Sequence, residues 1–250
     1  IQWVQSLAEL VPKEVIAIDG KTIRGAKSKG NKSPIHMVSV FVCVNNLVLG
    51  QVKTHEKSNE ITAIPKLLEI LAIQDTVVTI VAMGCQTNIA SAIIGKDADY
   101  ILAVKGNHKS LHDEVIYQFD FASKQLDLNK LESHWSVDIQ RDKSHGKEVI
   151  RKVVATTYLD WMSPETREKW SDLKSIVMVE TETFKSEEEP PTRHVRYYIS
   201  SLTADAKEFQ KHIRTHWSIE NQCHWILDTA FREDHHQCYK EQAARNLGTV

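Results

Sequence analysis

The sequence predicts an α/β fold, with a mixed sheet flanked by helices and a β-rich insertion before the last long helix. Three observations favour this class. Strand-like segments fill residues 15–53, helical and strand-like segments alternate over residues 59–121, and further strand-like segments occupy residues 134–200. Alternation implies parallel pairing through right-handed crossovers, whereas consecutive strands with short connections imply antiparallel pairing. Both kinds of pairing in one chain make the predicted sheet mixed.

The first three predicted strands form a meander. Residues 15–19 (VIAID) are a short apolar run that ends in an acid. Residues 35–44 and 47–53 are rich in β-branched side chains, and Asn45-Asn46 between them is typical of a tight hairpin turn. We therefore expect these segments to pair in antiparallel fashion.

Helices and strands then alternate. The predicted helices are residues 59–73, 86–94 and 110–121, and the predicted strands are residues 76–82 and 99–104. A meander followed by parallel β-α units is the outline of a ribonuclease-H-like sheet.

Strand-like segments return after residue 121. They lie at residues 134–141, 147–157, 174–183 and 193–200, separated by polar clusters, before helical spacing resumes at 203–216 and 217–232. The predicted organisation is therefore a ribonuclease-H-like core formed by residues 1–121 and 201–250, interrupted by a β-rich insertion at residues 122–200.

Composition excludes several classes of protein. The chain has 250 residues and a formal net charge of -2, so it is not a uniformly basic nucleic-acid binder, and any polyanion site must be a local patch. No apolar run is long enough to span a bilayer, and no signal peptide opens the chain. The four cysteines are scattered and form no CxxC pair, which favours reduced thiols. We expect a cytoplasmic protein with no membrane partner.

The segment from Arg214 to Asp228 has helical spacing and carries candidate site residues. Trp217, Glu220, His224 and Leu227 recur three or four positions apart, so one face would combine a carboxylate and an imidazole with large apolar anchors. Burying an unpaired carboxylate is costly, so a metal ion or a basic partner is expected beside Glu220. The alternative is a half-buried helix with Glu220 at its rim. Both Trp217 and Trp225 are predicted to be core residues rather than platforms for base stacking.

Two basic segments are candidates for phosphate contact. Residues 21–32 form a Gly-bearing loop that starts next to the strand-end acid and contains Lys21, Arg24 and Lys27. Its alternative interpretation is a solvated surface loop. Lys105 and Asn107 follow the strand at 99–104, at the edge where open α/β sheets bind ligands, although Asn107 also suits a helix cap.

Several long motifs occur in a fixed order along nearly the whole chain. They are VIAIDGKTIRGA, GQVKTHEKSNEITAIPKLL, VAMGCQ, ADYILAVKGNHKSLHDEV and IRTHWSIENQCHWILDTAFRED. Together they resemble the bacterial DDE insertion-sequence transposases, in the H-repeat-associated branch linked to Rhs elements. The resemblance implies a ribonuclease-H-like catalytic domain and a helical segment ahead of it.

The resemblance also implies a chemistry. Three carboxylates would hold two divalent ions, Mg²⁺ or Mn²⁺, that support cleavage and strand transfer of double-stranded DNA at the element ends. Asp19 matches the first acid and Glu220 the last. Asn221 and His224 also match the pattern, and either could orient the carboxylate or contact DNA. We expect transposon-end DNA and a second copy of the chain, in a homodimer, as partners.

The second acid of the pattern is missing. The family has Asp-Ala-Met-Gly-Cys-Gln after an apolar strand, and Val81 stands in place of that Asp. Asp75 precedes the strand and lies six residues before Val81, roughly 20 Å away at the strand rise. Asp97 and Asp99 precede the next strand, on that same far edge if the strands are parallel. We therefore predict an impaired site that binds one ion weakly through Asp19 and Glu220. The alternative is a catalytically dead DNA-binding or regulatory remnant.

Overall fold

A computed structural model describes residues 11–23, 35–54, 60–125, 134–144, 146–185, 189–203 and 205–235. The chain divides into two compact units. One contains Ile1–Tyr100 and Arg214–Val250, and the other contains Ile101–Ile213.

The first unit contains a mixed sheet. Its elements are β1 (Val15–Ile23), β2 (Ile35–Val42), β3 (Leu47–Thr54), α1 (Glu60–Ile70), β4 (Val77–Ile80), a 3₁₀ turn (Ala82–Gly84) and α2 (Thr87–Ile94). The strand order is β3-β2-β1-β4, and β1 is antiparallel to β2 but parallel to β4. Asn46, in the β2–β3 turn, has a left-handed φ of 56°, which asparagine tolerates well. The predicted meander, hairpin turn and mixed sheet are confirmed.

Strand β1 separates two buried layers because its side chains alternate. Val15 and Ala17 pack in a cluster with Phe41 of β2 and with apolar residues near the C-terminal end of the described chain. Gly20 lies on the other face, against Glu60 at the start of α1. Helical segments therefore cover both faces of the sheet at β1.

The register of β1 and β4 fixes which acids can meet. Val15 pairs with Val77, and Ile18 pairs with Ile80, so Asp19 and Val81 both follow the last paired residues. Asp75 lies at the opposite end, where its carbonyl accepts a hydrogen bond from Lys13 N at 2.6 Å and its N–H donates to Asp97 O at 2.9 Å. The prediction that Asp75 and Asp97 lie on the far edge is confirmed.

The second unit is dominated by an antiparallel sheet. Its elements are β5 (Asp99–Val104, which begins at the unit boundary), a 3₁₀ turn (Gly106–His108), α3 (Lys109–Gln125), β6 (Trp135–Ser144), β7 (Lys147–Thr156), α4 (Pro164–Lys169), β8 (Ser175–Phe184), β9 (Thr192–Ser200) and most of α5 (Ala206–His216). The strands follow the order β5-β9-β8-β7-β6. The β-rich region is confirmed. The compact unit begins at residue 101, where β5 pairs with β9, and it includes α3. The sequence analysis had assigned residues 101–104 and α3 to the core.

After α5 the chain returns to the first unit. It forms a π-helical turn (Ile219–His224), the short helix α6 (Trp225–Thr229) and a 3₁₀ turn (Glu233–His235). Cys43, Cys85 and Cys223 are buried free thiols, in agreement with the predicted reduced state, and Cys238 lies outside the described residues. Within the described part of the chain, every helix is too short or too polar to cross a membrane.

Candidate active site

Asp19 lies in the middle of β1, one residue beyond the last pair with β4, in a largely buried environment. The prediction that the first strand ends at this acid is wrong, because β1 continues to Ile23 through its pairing with β2. Its carboxylate is 20% exposed. Burial raises the pKa of the Asp19 carboxyl, while His224 and the backbone N–H of Gly20 act to lower it and the carboxylates of Glu60 and Glu220 act to raise it further. The net increase means that this acid lacks full compensation for its charge and would gain from a nearby cation.

Glu220 lies in the π-helical turn and not in a continuous α-helix. The prediction of one amphipathic helix over Arg214–Asp228 is wrong, because α5 ends at His216 and the π turn separates it from α6. The predicted boundary between residues 216 and 217 agrees with the end of α5. In a π turn the backbone hydrogen bonds join residues i and i+5 instead of i and i+4. The side chains that follow the turn therefore point in different directions from those they would have in a continuous α-helix. Such turns occur frequently at functional sites.

The π turn also changes which side chains are buried. Ile219, Cys223 and Leu227 pack against Val15, Ala17, Phe41 and Cys43. By contrast, Trp217 is 40% exposed and Trp225 is 61% exposed. The prediction that both tryptophans are core residues is wrong, because the buried face is formed by smaller side chains that fit against β1.

Asp19, Glu220 and His224 converge on one point. His224 Nδ1 lies 3.2 Å from Glu220 Oε2 and 3.5 Å from Asp19 Oδ2. One ligand atom from each of the three residues lies within 4.8 Å of the others. The Glu220 side chain is 56% exposed, whereas that of His224 is only 4% exposed. The two carboxylates therefore meet as expected, and the site opens to solvent on the side of Glu220.

Val81 directly follows β4, at the end of the strand that pairs with β1 up to Ile18. Its backbone remains extended (φ -71°, ψ 167°), so the alternation of β4 continues through it. Thr79, two residues earlier, points to the C-terminal helical segment, where its Oγ1 lies 2.8 Å from His216 Nδ1. Val81 therefore shares the face of Thr79 and lies in register beside Asp19. An aliphatic side chain at this position offers no ligand.

Lys21 is held by a cluster of acids. Its Nζ lies 2.7 Å from Asp228 Oδ1 and 4.0 Å from Asp234 Oδ1, and it also forms an ion pair with Glu233. The side chain is 9% exposed. Burial alone would lower the pKa of Lys21, but its hydrogen bonds to Asp228 and Glu233 outweigh that effect and raise it. The charge of Lys21 is therefore used inside the protein, which favours a structural role over the predicted phosphate contact.

The other predicted DNA-binding residues lie in different settings. Arg24 and Lys27 are outside the described residues. Asn221 is exposed and adjoins Glu220. The burial of His224 favours its contact with Asp19 and Glu220 over contact with DNA. Lys105 and Asn107 are exposed at the 3₁₀ turn that follows β5 in the second unit.

A buried pair beneath Gly20 was not predicted. His36 Nε2 pairs with Glu60 Oε1, and His36 Nδ1 lies 2.9 Å from Thr22 Oγ1. His36 is 2% exposed and Glu60 is 3% exposed. Glu60 is the first residue of α1, where an acid is ordinarily explained by the helix dipole, so the sequence carried no signal for this contact. The pair fixes the backbone of β1 immediately after Asp19.

Comparison with known proteins identifies the family. Residues 11–248 match the family described as the transposase DDE domain. The chain is 43% identical over 255 residues to "Putative transposase YncI" of Escherichia coli, covering 100% of this chain and 63% of that protein. It is 40% identical over 237 residues to "H repeat-associated putative transposase YhhI" of Escherichia coli, covering 94% of this chain and 61% of that protein.

A more distant similarity is found among solved structures. A structure titled "Cryo-EM structure of piggyBac transposase synaptic complex with hairpin DNA (SNHP)" has a TM-score of 0.44 and 9% identity, covering 86% of this chain and 41% of that one.

The chain spans less than two thirds of the length of the two Escherichia coli relatives. The family match nevertheless covers almost all of its own residues, including every candidate ligand described above. This chain belongs to the transposase DDE domain family, in agreement with the resemblance of its motifs.

Proposed function

We propose that this chain is the catalytic domain of a DNA transposase that cleaves and joins phosphodiester bonds at the ends of an insertion sequence. The observation that carries the proposal is the convergence of Asp19 and Glu220, 201 positions apart in the chain, in a member of the transposase DDE domain family. Carboxylates drawn together from the middle of β1 and from a distant helical turn repel one another unless a cation or a proton lies between them.

The donor set fits a divalent ion such as Mg²⁺ or Mn²⁺. Carboxylate oxygens are the ligands that these hard cations prefer. A bound ion would activate a nucleophilic oxygen and stabilise the leaving oxygen of a phosphodiester. The protein contributes by holding Asp19 rigidly on β1 and by presenting Glu220 at an exposed position, where a backbone phosphate can approach.

We propose that Val81 impairs this chemistry. A two-ion site needs a ligand beside Asp19, and the side chain at that register position is a hydrocarbon. The same observation supports the alternative function, a DNA-binding or regulatory remnant that has lost catalysis.

Double-stranded DNA from transposon ends is the proposed partner. Asn221 adjoins Glu220 at the surface, and the exposed ring of Trp225 would suit stacking on an unpaired base. Lys105, Arg24 and Lys27 are further proposed phosphate contacts. A homodimer and a cytoplasmic location, where the chain would meet DNA, remain predictions.

A nicking assay on supercoiled plasmid tests the proposal. We expect slow nicking with Mn²⁺ or Mg²⁺, no nicking without a divalent ion, and none by Glu220→Gln. Equal nicking by the wild type and Glu220→Gln would contradict the assignment of the site. DNA binding that weakens steeply with salt, without any nicking, would favour the regulatory remnant, since phosphate contacts release counterions.

A further inference from the structure

We infer that His224 is a third metal ligand, so that the site is built from two carboxylates and one imidazole and prefers transition-metal ions to Mg²⁺. The inference rests on the proposed position of the metal site between Asp19 and Glu220. It goes further by assigning a ligand that replaces the missing acid and by naming the class of ion that this donor set selects.

The position of the imidazole carries the argument. His224 Nδ1 lies between the carboxylates, 3.2 Å from Glu220 Oε2 and 3.5 Å from Asp19 Oδ2. Two carboxylate oxygens and an imidazole nitrogen directed at one point need a proton or a cation among them. The spread of at most 4.8 Å between donor atoms is the spacing that a single ion can bridge after small side-chain movements.

The burial of His224 shows that its orientation is fixed. The residue is 3% exposed, and among the described residues its Nε2 has no hydrogen-bond partner. The contacts of the ring with Glu220 and with Asp19 are both made through Nδ1. A buried ring whose polar contacts are confined to the site side is held ready to ligate there.

The chemical nature of the donors determines the choice of ion. Imidazole nitrogen suits later first-row ions such as Co²⁺ and Zn²⁺ better than Mg²⁺, which prefers oxygen ligands throughout. Val81 adds no oxygen ligand to restore the preference for Mg²⁺. A site with one nitrogen and two carboxylates should therefore discriminate between these ions more strongly than a site with carboxylates alone.

Calorimetric titration of the whole chain with Co²⁺ and with Mg²⁺, without DNA, tests the inference at a pH above the ordinary His pKa. We expect Co²⁺ to bind more tightly than Mg²⁺ and its visible absorption bands to report nitrogen coordination. His224→Gln should weaken Co²⁺ binding at least about tenfold, because loss of even an outer-shell partner costs roughly 10- to 100-fold. It should weaken Mg²⁺ binding much less.

The control is His194→Gln, which removes an exposed imidazole from β9 and should leave both titrations unchanged. Glu220→Gln should weaken the binding of both ions. An unchanged ratio of Co²⁺ to Mg²⁺ affinity in His224→Gln, or no Co²⁺ binding by the wild type, would overturn the inference. Co²⁺ binding that depends on His224 in a chain that cleaves no DNA would leave this inference standing and reject the proposed catalysis.

Discussion

Val81 is the residue at which this site departs from its expected chemistry. Its side chain shares a face with Thr79 and lies in register with Asp19, so a carboxylate at this position would reach the same point as Asp19. We predict that Val81→Asp raises Mg²⁺ affinity and shifts the preferred ion toward Mg²⁺, because it adds a hard oxygen ligand. Isothermal titration with Mg²⁺ measures the change.

Val81→Asn provides the matched control for this experiment. It has the size and shape of Asp without the charge, so it should bind Mg²⁺ much more weakly than Val81→Asp. Equal Mg²⁺ affinity in Val81→Asp and the wild type would show that the side chain at 81 does not face the ion.

Glycine is required at position 20 because the side chains of Glu60 and His36 pack directly against its Cα, and not because of an unusual backbone angle. A Cβ at this position would overlap Glu60 Oε1 and His36 Nε2, two atoms of a buried pair. We predict that Gly20→Ala destabilises the protein by about 1–3 kcal/mol, the usual cost of overpacking. Urea denaturation measures the loss.

Gly106 offers the comparison for Gly20. A Cβ there would have no heavy atom within 4 Å, so Gly106→Ala should change stability by less than about 0.5 kcal/mol. If both alanine variants were equally stable, the contact between Gly20 and the His36–Glu60 pair would not be tight.

At the scale of single elements, the π turn is what the sequence could not reveal. One set of residues is Ile219, Cys223 and Leu227, and the other is Trp217, Glu220, His224 and Leu227. Both sets have spacings of three or four and share Leu227, so periodicity alone does not decide which face is buried. Large aromatic side chains are usually buried, so the sequence favours burial of the face that carries Trp217. The structure buries Ile219 and Cys223, which pack with Phe41 of β2 and with Cys43 in the turn that follows it. His224 is also buried, whereas both tryptophans are exposed. That selection of buried side chains depends on residues far away in the sequence.

The π turn should itself be needed for metal binding. Deleting the exposed Gln222 would allow a continuous α-helix and would place Glu220 three positions before His224 instead of four, which changes the direction of its carboxylate relative to the imidazole and to Asp19. We predict a loss of at least about tenfold in Co²⁺ affinity, because even outer-shell changes cost that much. Calorimetry measures the affinity, and circular dichroism checks that the variant is folded.

Substitution separates the length of the segment from the identity of the residue. Gln222→Ala keeps the π turn and should bind Co²⁺ as the wild type does. Deletion of Asn221, which is also exposed, should act like deletion of Gln222. A folded deletion variant with unchanged Co²⁺ affinity would show that the turn has no part in placing Glu220.

At the scale of the whole molecule, most strands and helices could be predicted from periodicity, and the meeting of Asp19 with Glu220 followed from the family motifs. The ion pairs of Lys21 could not. The sequence around Lys21, at the start of a basic, glycine-containing loop, does not show whether its side chain faces solvent or contacts acidic side chains. Its contacts with Asp228, Glu233 and Asp234 arise only when the end of the described chain folds back onto β1.

Global stability should depend on pH through His216. This imidazole is 8% exposed, and its Nδ1 is hydrogen-bonded to Thr79 Oγ1. A positive charge on the nearby His224 also opposes protonation of His216. Burial lowers the pKa of His216 from 6.5 to about 4. The unfolded chain therefore binds a proton between these values that the native chain does not bind. The stabilisation is complete above about pH 6.5 and is lost as the pH falls toward about 4.

A variant comparison isolates the contribution of His216. Between about pH 7 and about pH 5, the free energy of unfolding of the wild type should fall by about 2 kcal/mol more than that of His216→Asn. Urea denaturation at both pH values measures the difference, in which the other titrating groups cancel. Thr79→Val removes the hydrogen bond but keeps the buried ring, so it should retain the pH dependence. If the free energy of unfolding changed with pH equally in the wild type and in His216→Asn, His216 would take up a proton in the folded protein near its ordinary pKa.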